Sequence, residues 1–112
     1  GLALLNEKDK HYTEAYDGIN SLIEQYPDSA MAYAARGGME KERGMLELAE
    51  FDYAKAMELD AGNEDFAFNH VDILIQLGRK DEAYRDLKKL LDAGCQPGRL
   101  QNFYARLKKK KK

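Results

Sequence analysis

"GMLELAEFDY", residues 44 to 53, and "GRKDEAYRDL", residues 78 to 87, are laid out alike. Each opens on a glycine and then places an alanine in the same slot, Ala49 and Ala83. Ala15 extends the series, so three alanines are separated by 34 and 34 residues. Ile19, Tyr53 and Leu87 keep that spacing, as do Leu22, Ala56 and Leu90. Gly44 and Gly78 keep it too, and so do Tyr33 and Ala67. The residue types agree as well: small in the first column, large and apolar in the second, apolar in the third. A fixed period of this length is the mark of stacked supersecondary units.

Inside each unit the apolar residues recur at helical spacing. The middle unit predicts helices near 30–42 and 46–59, split at Gly44. The last unit predicts helices near 64–76 and 80–92, split at Gly78. Glycine costs about 1 kcal/mol inside a helix but suits the left-handed turn that follows one. The first unit predicts a helix near 12–25, stopped by Pro27, because proline has no N–H to continue it. Before it stands only a stub, Leu2 to Lys8. Two antiparallel helices joined by a short turn cross closely, and a leucine at the crossing would overpack. Ala49 and Ala83 are therefore expected to be buried against a partner helix, and Ala15 likewise.

The reading is an all-α domain over residues 1–108, with units at about 1–29, 30–63 and 64–98. In "RLQNFYARL", Leu100, Phe103, Tyr104 and Leu107 lie on one helical stripe. Residues 99–108 are expected to cap the last helix pair, since a stack of repeats leaves its end half exposed. The first unit lacks most of its first helix. A preceding segment or another chain would cover the side of Ile19, which is a route to oligomerisation.

Composition narrows the function classes. The chain has 112 residues and a formal charge of −2. Five of its 18 basic residues are the consecutive lysines Lys108 to Lys112, so residues 1–107 hold 13 basic groups against 20 acidic ones, a charge of −7. An acidic body ends in a basic tail, of which 109–112 lies beyond the cap. No apolar run approaches the roughly 20 residues of a membrane-spanning helix. The single cysteine, Cys95, excludes an internal disulfide and favours a reducing compartment such as the cytoplasm. Export remains compatible, because a signal peptide could have stood before Gly1.

No catalytic set is visible. His11 and His70 fall in different units, with no metal-ligand partner at a useful spacing. Cys95 follows Gly94 in a helix-ending turn and has no adjacent base to activate it. Gly37-Gly38 lies inside a predicted helix and lacks the lysine and flanking strand of a phosphate loop. The expectation is a non-enzymatic chain without a cofactor or metal.

A helix–turn–helix unit of 34 residues with these columns resembles the tetratricopeptide repeat. Tyr33 stands where that family puts an aromatic residue. Arg36-Gly37 matches the small residue of its first helix, and Ala49, Tyr53 and Ala56 match its second. "LDAGN" stands in place of the family's Leu-Asp-Pro-Asn ending, with Ala61 at the proline, whereas Pro27 keeps it in the first unit. The last unit departs, with Val71 for the glycine and Ala67 for the aromatic, flanked by Phe66 and Phe68.

The resemblance implies a right-handed α-α superhelix, a solenoid whose first helices line a concave groove. On the matching positions the groove holds Met31, Ala34, Gly38, Lys41, Glu42, Asp65, Phe68, Asn69, Asp72, Ile75 and Gln76. It further implies a scaffold that binds a segment of a partner protein. Phe68 and Ile75 are the expected apolar anchors. Asp65, Asp72 and Glu42 outnumber Lys41, which points to a peptide with apolar and basic residues. Family members that clamp a C-terminal carboxylate use Lys, Asn and Arg; the matching places here are Gly38, Ala35, Asp65 and Asn69, of which only Asn69 fits.

The alternative is an RNA-binding helical repeat. "GRKDEAYRDLKKLLDAGCQP" also resembles a pentatricopeptide repeat, but Gly98 stands where the base-reading aspartate would be. The acidic body opposes phosphates, so no strong nucleic-acid binding is expected.

Overall fold

Three glycines set the turns. Gly44, Gly78 and Gly94 have φ of 77°, 77° and 100°, in the left-handed region that side chains disfavour. Each closes a helix in the same way. The glycine N–H reaches back to Lys41, Ile75 or Leu91, and the next N–H to Glu40, Leu74 or Leu90. This is the six-residue capping pattern that satisfies orphaned carbonyls at a helix end.

The computed structural model describes residues 7–109, and the side chains of 10–109. The chain is all-α: α1 (Glu7–Gln25), α2 (Ala30–Glu42), α3 (Leu46–Leu59), α4 (Glu64–Gln76), α5 (Lys80–Asp92), a 3-10 turn (Pro97–Leu100) and α6 (Gln101–Lys108). No strand occurs among the described residues. Starts repeat like stops: Ser29 Oγ caps α2 at Ala32 N (3.2 Å) and Asn63 Oδ1 caps α4 at Phe66 N (3.1 Å). An N-cap oxygen accepts one of the N–H groups that the first turn leaves unpaired.

Successive helices pack in order, α1 on α2, α2 on α3, α3 on α4 and α4 on α5, and α6 returns to α4. The molecule is a slab of 49 × 39 × 19 Å with a radius of gyration of 16.0 Å. A compact domain of this length would have about 13 Å. Helices that pack each on the next in chain order, with α6 returning to α4, make the chain longer than a compact domain.

Ala49 and Ala83 are wholly buried, as the period predicts, and so is Ala56. Leu100 and Leu107 are buried, with Phe103 and Tyr104 packed beside them. The first unit differs from expectation. Glu7 and Lys8, assigned above to a stub, belong to one continuous helix with the rest of α1. No proline interrupts 7–25, and Gly18 alone does not break it. The remainder of the stub lies outside the described residues. Ala15 is exposed, not buried. Among the described residues α2 is the helix that packs extensively on α1, and the face that Ala49 and Ala83 bury inside their hairpins is open at Ala15.

Candidate binding surface

Equivalent faces of α2, α4 and α6 come together on one side of the slab. Lys41 Nζ donates to Asn69 Oδ1 (3.1 Å) and lies 2.8 Å from Asp72 Oδ2, joining α2 to α4. Arg106 Nη1 donates to Asp72 Oδ1 (2.6 Å), joining α6 to α4. Gln76 Nε2 also donates to Asp72 (2.8 Å), and Asn69 Nδ2 donates to the Asp65 carbonyl (2.9 Å). Burial alone would raise the Asp72 pKa. The bonds from Lys41 and Arg106 outweigh it and hold that carboxyl below the usual aspartate value.

The expected groove residues divide into three groups. Lys41, Asn69, Asp72 and Gln76 form the polar cluster just described. Phe68 and Ile75 are half-buried against the core of the last unit. The Phe68 ring lies 6.0 Å from that of Phe103, with Arg99 over its face at 4.7 Å. Ala34 is buried in the core of the middle unit. The open positions are Met31 (69% exposed), Glu42 and Asp65, with Gly38 half-buried beside the Tyr53 hydroxyl.

Behind this face, each hairpin is closed by an ion pair. Arg36 grips Asp52 with two hydrogen bonds of 2.8 Å and donates a third to Asn20 of α1 (3.0 Å). His70 lies between Asp86, in a very short contact, and Glu50 Oε2 at 2.9 Å. Burial lowers the His70 pKa, but the bonds to Asp86 and Glu50 outweigh it and the net shift is upward. Glu40 is 1% exposed; its Oε2 accepts from the Tyr16 hydroxyl at 2.6 Å. Its Oε1 has no hydrogen-bond partner among the described residues. Burial first, then the neighbouring Asp52 carboxyl, pushes Glu40 up to about 7.

These pairs were not anticipated from the sequence, although a signal was there. Arg36 and His70 are 34 apart, and so are Asp52 and Asp86. A cation and an acid in matched columns mark a bond within the unit.

A cleft lies between α3 and α5. It holds about 520 Å³ and is walled by Met57, Ala61, Ala67 and Leu90, with His70 and Asp86 also lining it. Both ring nitrogens of His70 face carboxylates. Cys95 is buried, and burial pushes its thiol pKa up. No group of described residues is arranged to hold a metal ion. No described helix is long and apolar enough to cross a membrane. No protein-family model matches the chain, and no curated protein matches it.

Proposed function

We propose that the chain is a tetratricopeptide-like interaction module, not an enzyme, and that the α2–α4–α6 face binds a segment of a partner protein. The observation that carries this reading is the joining of three helices, α2, α4 and α6, through Lys41, Asp72 and Arg106. That linkage makes one continuous surface out of separate units. Lys41 and Arg106 are both engaged by Asp72, so recognition falls to the open positions: Met31 for an apolar side chain, and Glu42 and Asp65 for basic ones. The ligand class is therefore an extended segment with apolar and basic residues. Phe68 and Ile75 support the floor and act through packing.

The test is selection of peptides from a random displayed library against the folded chain, followed by fluorescence anisotropy. The selected peptides should combine apolar residues with Lys or Arg. Glu42→Lys with Asp65→Lys should weaken them roughly tenfold or more while circular dichroism is unchanged. Peptides that bind this double variant as tightly as the unaltered chain would remove the face from consideration.

A further inference from the structure

The repeat supplies its own control for surface residues. Glu14, Leu48 and Glu82 occupy one column, and Asp17, Phe51 and Arg85 the next on the same helix face. In α1 and α5 those positions are charged. In α3 alone they are apolar, and Leu48 and Phe51 stand 52% and 63% exposed. This is not an end effect, because α3 has packed neighbours in α2 and α4. Nor is it demanded by the fold, since two other units carry charges in those slots.

We infer that the outer face of α3 is the contact between two copies of this chain, related by a two-fold axis near Phe51. The stripe is self-complementary. Glu47, Leu48, Phe51, Lys55 and Glu58 follow helical spacing on one face, with Phe51 at the centre. A two-fold axis there lays the two α3 helices antiparallel and sets Phe51 on its counterpart. Leu48 then meets the aliphatic stem of the partner's Lys55. The acid at one end, Glu47, comes beside the base at the other end of the partner, Lys55, and the relation holds twice by symmetry. Lys55 is available for this, because its contact to Glu58 is long, at 3.8 Å, and Glu58 is 72% exposed. The face is separate from the α2–α4–α6 surface, so a dimer would leave both peptide-binding faces open. The inference stands or falls independently of the peptide-binding reading.

Sedimentation equilibrium over a range of concentrations tests it. The unaltered chain should rise from one chain mass to a plateau at two. Leu48→Glu with Phe51→Arg installs the residues that α5 carries in those columns, so the variant should keep its helical circular dichroism and stay at one mass. Glu47→Lys should weaken the dimer, and adding Lys55→Glu should restore it, because both ends then change sign together. That restoration separates a two-fold contact from general stickiness. A chain that remains monomeric at every concentration overturns the inference. So does a dimer that Leu48→Glu with Phe51→Arg leaves intact, or a charge exchange that fails to restore association.

Discussion

In the α2–α3 hairpin, Gly37 faces Tyr53; in the α4–α5 hairpin, the same two columns hold Val71 and Leu87. A Cβ on Gly37 would come within 2.9 Å of the Tyr53 ring. Val71 and Leu87, by contrast, are both wholly buried in one apolar cluster. One hairpin pairs the smallest residue with a large ring, and the other pairs two of middle size. Three positions further the contrast is chemical: Glu40 is buried in the first hairpin where Leu74 is buried in the second. The closing ion pair keeps its place but changes its cation, from Arg36 to His70. A repeat thus conserves summed volume and the position of a bond, and leaves the identity of each filler free.

Grafting one hairpin's fillers into the other is the strongest way to break this comparison. Gly37→Val alone should cost about 3 kcal/mol by overpacking against Tyr53, read from denaturant midpoints. Adding Tyr53→Leu should recover most of that loss. If the double variant is no better than the single one, the columns do not share a volume.

Glu40→Leu comes next. The folded pKa of Glu40 is raised from 4.5 to about 7, so its contribution is whole below 4.5 and is lost as pH rises through 7. The variant should therefore gain roughly 2–3 kcal/mol over the unaltered chain at pH 8 and much less at pH 5. An equal gain at both values would mean that Glu40 does not titrate in that window.

A smaller effect belongs to His70. Its folded pKa is raised above 6.5, so the stabilisation it gives as a cation is present below 6.5 and is lost as pH rises through the folded value. His70→Gln should flatten the remaining decline in melting temperature above pH 6.5. Smallest of all is removal of residues 110–112, expected to move stability by only a few tenths of a kcal/mol, since these lysines add no apolar surface to bury. Single-stranded RNA held by all five lysines would show a log–log salt slope of about −3.5 and release in moderate salt. Salt-resistant, sequence-selective RNA binding would instead favour the pentatricopeptide-like alternative.

What could be read in advance follows from how local each signal is. The helices at 30–42, 46–59, 64–76 and 80–92 were legible to the residue, because glycine turns and apolar spacing act within one unit. The cap was legible from the stripe of Leu100 to Leu107. Ala15 was misjudged because its burial depends on a helix outside its own sequence window. For the groove, spacing placed Lys41, Asn69 and Asp72 on one face but could not show that they bond to each other and to Arg106. Nor could it show that α6 brings Phe103 and Arg99 onto Phe68. Those contacts join residues about 28 to 35 positions apart, beyond any helical period.

The central claim is that the same two columns close both hairpins, once with a permanent cation and once with a titratable one. Paired double-mutant cycles test it most directly, run in the Glu40→Leu background so that Glu40 adds no titration. One cycle uses Arg36→Gln and Asp52→Asn, and the other His70→Gln and Asp86→Asn, each at about pH 6 and about pH 9. Both pairs should couple by about 1–3 kcal/mol at the lower pH; the Arg36–Asp52 coupling should persist at the higher one while the His70–Asp86 coupling shrinks. Absence of coupling in either pair, or the same pH response in both, would contradict the account.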